Sequence, residues 1–376
     1  MMPKSRRSIA RALSLWSLAA TALLGSLGAS AQEEEKVLNV YNWSDYIADD
    51  TLKTFEKETG IKVRYDNYDT NEILHAKLVA GHSGYDIVVP SAHFARQQIE
   101  GGLFRKLDRA QLTHWGNLDP ALLAQLAKVD PGNQYLVDWL WGYITVGINR
   151  PKVEKALAGL PMPENPWSLL FDPAVVSKLK DCGVYMLDSP QTVYPVALAY
   201  LGKNPNSKSP EDITAVEAML AKVRPYIGNF KSTGYPSDLA VGEACVVMGW
   251  SGDIARADAE VAKAGNGIKL DYVVPKEGST IWVDTFVVPK DAPNPDAAHK
   301  LIDFLTRADV AAQNSNYLRY PNGNKASFPL LDEAIRQDTR LYPPADTYTR
   351  LFMVEMFTDD ALRNLTRSWT RVKAQQ

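Results

Sequence analysis

An α/β fold, with mixed sheets that carry helices on both faces, is the architecture that this sequence predicts. Three observations lead to it. Short apolar runs rich in β-branched residues alternate with amphipathic stretches along the chain, which is the pattern of strands covered by helices. The 376 residues exceed one ordinary domain, so we expect two lobes. The composition, with 45% hydrophobic and 23% charged residues, is typical of soluble globular proteins and excludes disordered and fibrous classes.

The N-terminus has the pattern of a cleaved signal peptide, residues 1–31. A basic segment, Lys4–Arg11, precedes the mostly apolar Ala12–Gly28, and residues 29–31 form an Ala-Ser-Ala cleavage site. An uncleaved N-terminal anchor is the alternative, and the pair Arg6-Arg7 leaves both the general and the twin-arginine export routes open. Because no later segment approaches 18 continuous apolar residues, we expect the mature chain to be free in an exported compartment.

Net charge and missing catalytic motifs exclude several functional classes. The formal net charge is −3, and without the four basic residues of the signal peptide 37 basic residues face 44 acidic ones. This charge disfavours nucleic acids and is compatible with a cationic ligand. The five histidines have no zinc-ligand spacing, and Gly81–Tyr85 and Gly249–Asp253 lack the fifth-position glycine of a nucleophile elbow. Missing motifs do not by themselves exclude an enzyme, but no catalytic constellation stands out, and we predict a protein that is not an enzyme and needs no metal or cofactor.

The first part of the mature chain predicts strands alternating with two helices. One helix covers Asp49–Thr59 and stops at Gly60. Asp69-x-x-Glu72 has the form of a capping box, which opens a second helix that continues to Ala80. The predicted strands are Val37–Tyr41, Ile61–Tyr65 and Asp86–Val89.

The same alternation returns after residue 140. Ser209-Pro210, followed by Glu211 and Asp212, opens a helix that ends near Val223, and Asp296–Ala311 predicts another long helix. The predicted strands are Tyr143–Ile148, Val184–Leu187, Cys245–Met248, Tyr272–Val274 and Thr285–Val288.

The domain prediction follows from the absence of a Gly/Ser-rich linker in the sequence. We expect the chain to cross between the lobes in strand-like segments near Leu140–Tyr143 and Gly265–Tyr272. The first α/β lobe is then 32–140 plus about 265–310, and the second is 141–264 plus about 311–376.

Aromatic residues stand beside aspartates at three strand ends. The three segments are Trp43–Tyr46, Trp250–Asp253 and Trp282–Asp284. Ligands of open α/β sheets bind outside the carboxyl ends of strands. A carboxylate pairs with an ammonium group, and an aromatic face attracts a cation by about 0.5–2 kcal/mol. The alternative for each tryptophan is a core anchor, and for each aspartate a cap or turn. Together the three clusters favour an alkylammonium ligand.

Four segments carry a resemblance to the periplasmic putrescine/spermidine-binding proteins of ABC importers. They are Asn39–Ile47, Ser83–Ser91, Gly249–Asp253, and Tyr272–Gly278 with the following Trp282-x-Asp284. The resemblance covers the mature chain. It implies a two-lobed periplasmic solute-binding protein fold with a hinge between the lobes. It also implies a monomeric periplasmic protein that delivers a polyamine to an inner-membrane ABC permease, with no membrane span in the mature chain.

The resemblance also implies ligand contacts from both lobes. The residues that match are Trp43, Ser44, Tyr46 and Ser91 in the first lobe, with Asp45 beside the cleft; Ser232, Trp250, Asp253 and Tyr320 on the side of the second; and Trp282 and Asp284 in an aromatic-x-aspartate motif. Gln191 departs from the family, which often has an acid there, so one ammonium anchor is missing. His93 is placed beside the cleft, with a surface-loop histidine as the alternative.

Two cysteines, Cys182 and Cys245, favour a disulfide in an exported protein, with two buried free thiols as the alternative. The resemblance implies their pairing. Trp282 offers a larger apolar face than a phenylalanine, which favours spermidine over putrescine. A binding protein for another amine such as agmatine or cadaverine is the second hypothesis, and an exported α/β hydrolase is the third.

Overall fold

The structure is a computed structural model that describes residues 37–265, 267–343, 347 and 349–374. The predicted signal peptide lies outside the described residues. The strands are β1 (Val37–Trp43), β2 (Lys62–Tyr68), β3 (Ile87–Val88), β4 (Val137–Asn149), β5 (Val184–Met186), β6 (Asn229–Phe230), β7 (Val246–Trp250), β8 (Leu270–Asp271), β9 (Ser279–Phe286) and β10 (Leu351–Met353).

Helices cover these strands in the described part of the chain. They are α1 (Thr51–Thr59), α2 (Asn71–Val79), α3 (Ala92–Glu100), α4 (Pro120–Leu126), α5 (Arg150–Leu157), α6 (Ser168–Phe171), α7 (Pro173–Leu179), α8 (Pro190–Tyr200), α9 (Pro210–Val223), α10 (Tyr235–Val241), α11 (Ser251–Ala264), α12 (Pro295–Leu305), α13 (Ala308–Leu318), α14 (Glu333–Arg336) and α15 (Asp359–Ala374). Among the described helices, none combines the length and the apolar composition that a membrane crossing requires.

The strands form two sheets of different size. The smaller sheet has the order β2-β1-β3, with all pairs parallel. The larger sheet has the order β10-β9-β4-β7-β5-β6, and β8 pairs with the end of β4. It contains both kinds of pair: β4 is antiparallel to β9 and β7, whereas β10–β9, β7–β5 and β5–β6 are parallel, which confirms the predicted mixed α/β architecture.

The long strands β4 and β9 connect the two sheets. All 13 residues of β4 are buried. The first half of β4 pairs with β9, and the second half pairs with β7. The far end of β9 reaches the smaller sheet, where isolated bridges join Val88 to Val287 and Ser91 to Asp284. The prediction of Tyr143–Ile148 covered only the second half of β4, and β9 starts six residues before the predicted Thr285.

The buried side chains form three apolar clusters. One contains Ile144 of β4 together with α5 to α11 and α15. The other two are built on β1 to β3, α1 to α4, α12, α13 and the later part of β9. Leu270 and Tyr272 belong to the first cluster, whereas Ile281 and Trp282 belong to the others. The division into 32–140 plus about 265–310 and 141–264 plus about 311–376 stays a prediction.

The predicted helix Asp296–Ala311 is wrong as a single element. The carbonyl oxygen of Thr306 accepts hydrogen bonds from the side chains of Asn117 (3.0 Å) and Asn324 (2.7 Å). Arg307 is extended, with φ −64° and ψ 141°. Side chains from distant segments therefore cap α12 at Thr306, and the chain starts α13 afresh.

Two smaller predictions are also wrong. Tyr272–Val274 is not a strand, because its neighbour β8 ends at Asp271 and the Val273 carbonyl is met by the Thr145 side chain (2.7 Å) instead of a strand backbone. The N-cap of α2 is Thr70, not Asp69, since the Thr70 hydroxyl accepts the hydrogen bond from the Ile73 amide (3.3 Å).

A disulfide joins Cys182 to Cys245, as predicted. Cys182 ends a short turn before β5, and Cys245 directly precedes β7. These two strands are parallel neighbours, with Val184 opposite Val246. The bond closes a loop of 63 residues, which stabilises the fold by roughly 4 kcal/mol in the chain-entropy model.

Candidate functional site

Four aromatic rings from separate parts of the chain meet where β7, β9 and the turn after β1 come together. Trp282 of β9 lies edge-to-face with Trp250 at the end of β7, with ring centres 6.1 Å apart. It makes the same kind of contact with Tyr320 (5.4 Å), which in turn contacts Tyr46 (5.8 Å). We call these four residues the aromatic cluster. Such pairs are worth about 0.5–1.5 kcal/mol each beyond the area they bury.

Two glycines allow the aromatic cluster to pack this closely. A side-chain carbon at Gly142 of β4 would lie 2.6 Å from the Trp282 ring, and one at Gly252 of α11 would overlap the Tyr320 ring. The Trp282 and Tyr320 rings therefore pack directly against the backbone at Gly142 and Gly252.

Asp284 forms one end of the site. It is 6% exposed on β9, two residues after Trp282. Its Oδ1 accepts a 2.6 Å hydrogen bond from the Ser91 hydroxyl. Asn71 holds Ser91 from the other side, because its amide donates to Ser91 Oγ and its carbonyl accepts from the Ser91 amide, both at 3.1 Å. Burial raises the pKa of Asp284 to about 7, although the hydrogen bond from Ser91 opposes the shift.

Two tyrosines surround Asp284. Burial, and then the charge of Asp284, raises the pKa values of Tyr46 and Tyr68 well above their usual range. The Tyr46 hydroxyl is near enough to influence the carboxylate, yet it is buried without a hydrogen bond of standard geometry in the described structure. The indole nitrogen of Trp282 is likewise buried and unpaired there. Both tyrosines therefore face Asp284 as protonated phenols.

Asp253 forms the other end of the site, in the first turn of α11. Its two oxygens accept hydrogen bonds from Tyr320 (2.9 Å) and Tyr235 (2.8 Å). The Tyr235 hydroxyl also accepts from the Trp250 amide (3.0 Å), so one phenol fixes both the strand end and the carboxylate. Arg256 makes a longer ion pair with Asp253, at 3.4 Å.

The structure thus brings together most of the residues that the resemblance implied. Trp43 joins the group through Tyr68, since their rings are 4.6 Å apart and both side chains donate to the Val89 carbonyl. The predicted residues that lie in or directly against the group are Trp43, Tyr46, Ser91, Trp250, Asp253, Trp282, Asp284 and Tyr320.

Three predicted residues lie on exposed turns. Ser44 donates a long hydrogen bond (3.4 Å) to Asp69, and Asp45 follows it in the left-handed region, with φ 53°. Ser232 accepts a hydrogen bond from the Asp188 amide at 3.2 Å. Contact of these three residues with a ligand stays a prediction.

The predicted residues Gln191 and His93 lie outside the group formed by the aromatic cluster and its two carboxylates. Gln191, in the first turn of α8, donates a 2.9 Å hydrogen bond to Glu72 of α2. His93 packs edge-to-face on Phe94 and lines a cavity of about 1210 Å³, together with α4 and residues 349–358. None of the four residues of the aromatic cluster lines that cavity. Burial lowers the pKa of His93 to about 4, so the ring is neutral at physiological pH.

Three further residues, which the sequence did not predict, belong to this site. Tyr68 stands opposite Trp43 in the parallel pair β1–β2, and a strand prediction that ran to residue 68 would have placed it there. Asn71 and Tyr235 carry no local signal, because their partners Ser91 and Asp253 come from elsewhere in the chain.

Chemically, the site offers two carboxylates at the ends of an aromatic surface. Only one of them, Asp253, has a basic partner within the described residues. No group of three or more His, Cys, Asp or Glu side chains in the described part of the chain is placed to hold a metal ion. The arrangement suits a ligand with two positive charges separated by an apolar methylene chain.

Comparison with known proteins gives a consistent result. The bacterial extracellular solute-binding protein family matches residues 50–342. The putrescine-binding periplasmic protein SpuD of Pseudomonas aeruginosa is 45% identical over 358 residues, which cover 95% of this chain and 97% of that protein. The putrescine-binding periplasmic protein PotF of Escherichia coli is 44% identical, over 95% and 96% of the two chains.

A solved structure agrees with the fold. The spermidine/putrescine ABC transporter substrate-binding protein PotD of Streptococcus pneumoniae superposes with a TM-score of 0.77 and 28% identity, over 90% of this chain and 99% of that one. The predicted two-lobed solute-binding fold is therefore confirmed. By sequence and by structure, this chain belongs to the family of bacterial extracellular solute-binding proteins.

Proposed function

We propose that this protein binds a polyamine between its two lobes and delivers it to an inner-membrane ABC permease. The pairing of two carboxylates with an aromatic surface carries the proposal. Asp284 lies beside Tyr46, the Tyr46 ring contacts the Tyr320 ring, and Tyr320 donates a hydrogen bond to Asp253. A diammonium ligand has the same order of groups, with a charge at each end and methylenes between.

The two acids would contribute in different ways. Asp284 is buried and makes one hydrogen bond to a neutral hydroxyl, so an ammonium group would supply its missing positive partner. Asp253 is already fixed by two phenols, and this pre-organisation lowers the entropy lost on binding. The rings cover the methylenes and add cation–π attraction.

The relatives support the substrate class. SpuD and PotF are named as putrescine-binding, and the structural neighbour as a spermidine/putrescine protein. We propose putrescine and spermidine as the candidate ligands, with the larger face of Trp282 favouring spermidine. Periplasmic location after removal of residues 1–31, a monomeric state and a permease partner belong to the same proposal.

A panel of amines tests the proposal directly. Putrescine, spermidine, cadaverine and agmatine are added to the purified protein, and both melting temperature and calorimetric binding are measured. A ligand at 100 times its Kd stabilises the folded state by about 2.7 kcal/mol. We expect putrescine or spermidine to give the largest shift and to be recovered unchanged.

The matched negative compound is 4-aminobutanoate, which has the same chain length as putrescine but a carboxylate at one end. It should not bind, because one of its ends would face an acid. Equal binding of this compound, or failure of every diamine to bind, would contradict the proposal, and conversion of an amine would favour the hydrolase.

A further inference from the structure

One hydrogen bond joins helices from the two sides of the site. Gln191 Nε2 of α8 donates to Glu72 Oε1 of α2 at 2.9 Å, although the residues are 119 positions apart. The buried residues of α2, such as Leu74, belong to a different apolar cluster from those of α8, such as Val193. This contact therefore spans the gap between two separate cores.

Glu72 is tied to the carboxylate end of the site by its own helix. The preceding residue, Asn71, is 9% exposed and makes both of its hydrogen bonds to Ser91. Ser91 in turn donates to Asp284. A hydrogen-bonded path through three side chains, Asp284, Ser91 and Asn71, thus leads to the first turn of α2.

The charge of Glu72 is not matched by a protein base. Its side chain is exposed, and among the described residues no Lys, Arg or His forms an ion pair with it. Its hydrogen-bond partner there is the neutral amide of Gln191, whose carbonyl oxygen accepts no hydrogen bond in the described structure. A carboxylate and a free carbonyl oxygen side by side are acceptors for an ammonium group.

We propose that Glu72 is a ligand-contacting residue of the polyamine site, where it binds one ammonium group of the ligand with Gln191 beside it. The inference rests on the proposed function and deepens it. The negative charge that a neutral Gln191 cannot provide comes from the facing helix instead. Glu72 then adds a negative charge beside one of the two ammonium groups that Asp284 and Asp253 pair with, and it increases the preference for a diamine over an amine with one charge.

The substitution Glu72→Gln separates ligand contact from a purely structural link. A glutamine at 72 keeps an acceptor for the Gln191 amide, so a link between the helices survives, but the charge is lost. Glu333→Gln is the matched control. Glu333 also accepts a hydrogen bond from a glutamine amide, that of Gln337 at 2.8 Å. Gln337 directly follows α14, so this bond does not join two separate helices.

The experiment measures Kd for putrescine and for 4-amino-1-butanol, which has a hydroxyl in place of one ammonium group. Putrescine is titrated by calorimetry, and the alcohol is measured by displacement. We expect Glu72→Gln to weaken putrescine by roughly 5- to 30-fold, as for loss of a charge-assisted contact. The alcohol should change less than twofold, and Glu333→Gln should leave both ligands within twofold of the unmodified protein.

Two results would overturn this inference while the proposed function stands. One is putrescine binding to Glu72→Gln within twofold of the unmodified protein. The other is an equal loss for both ligands, which would make Glu72 a structural link only. Absence of amine binding by the unmodified protein would overturn both proposals together.

Discussion

Asp284 has a carboxyl group whose charge changes near neutral pH. It is buried, its Oδ1 is held by Ser91, and burial raises its pKa to about 7. Because this pKa is above that of the unfolded chain, burial of the ionised form costs stability. The empty protein therefore loses stability as pH rises from about 4 towards 7. In the proposed function, the ionised form that carries this cost is the one that pairs with an ammonium group.

We predict that putrescine binding weakens by about tenfold per pH unit below pH 7, since protonation of Asp284 competes with the ligand. Tyr46 and Tyr68, which face Asp284, stay protonated throughout because their pKa values are raised. His93, with a pKa of about 4, does not titrate between pH 5.5 and 8.

Calorimetric titrations over this pH range check the prediction. Asp284→Asn should bind about 2–4 kcal/mol more weakly at pH 8 and show a flat pH profile. Its unfolding free energy at pH 8 should not fall below that of the unmodified protein. A sloped profile in the variant, or a flat one in the unmodified protein, would show that another group controls binding.

At the scale of elements, the start of α11 has a glycine where helix propensity favours alanine. Gly252→Ala would gain up to about 1 kcal/mol in an unconstrained helix. Here the new carbon overlaps the Tyr320 ring, which is hydrogen-bonded to Asp253 on the same turn. The ring must move, and its contact with Trp282 changes with it.

We predict that Gly252→Ala weakens polyamine binding by at least about tenfold and lowers the melting temperature by a few degrees. Gly116→Ala is the matched control, because that glycine is exposed and an added carbon meets nothing within 4 Å. Binding by Gly252→Ala equal to that of the control variant would mean that the Tyr320 ring position is not important for the site.

The elements also show what the sequence could predict. The predicted strands Val37–Tyr41 and Cys245–Met248 stop two residues short of β1 and β7, which end at Trp43 and Trp250. The third predicted strand end is wrong, because Trp282 and Asp284 lie inside β9. The end of α12 was missed because Asn117 and Asn324 create it, and both are remote from Thr306. Local patterns therefore predict elements well where the chain signals its own boundary, and poorly where a distant side chain supplies it.

The candidate site follows the same rule. Trp250 and Asp253 belong to one turn, so their proximity could be read from the sequence. The contact of Ser91 with Asp284 joins residues 193 positions apart, and Gln191 meets Glu72 across 119 positions. Periodicity contains no information on such pairs, and only the resemblance indicated the first of them.

For the whole molecule, the excess of acidic residues predicts electrostatic steering of a cation. From residue 32 onward, 44 acidic residues outnumber the basic ones. We predict that the association rate constant of spermidine falls several-fold between about 10 and 500 mM salt, and that of putrescine less, because screening scales with ligand charge. Stopped-flow tryptophan fluorescence measures both rates. Dissociation rates should change less, and association rates independent of salt would exclude steering.

The raised pKa of Asp284 has a consequence for the chemistry of capture. Near neutral pH this carboxyl exchanges between its protonated and ionised forms, and in the proposed function a bound ammonium group favours the ionised form. Loading the site is then an exchange, in which one cation enters and up to one hydrogen ion is released to the buffer. In the proposed function, unloading at a permease reverses the exchange, so the hydrogen-ion concentration of the compartment becomes a reactant in transport.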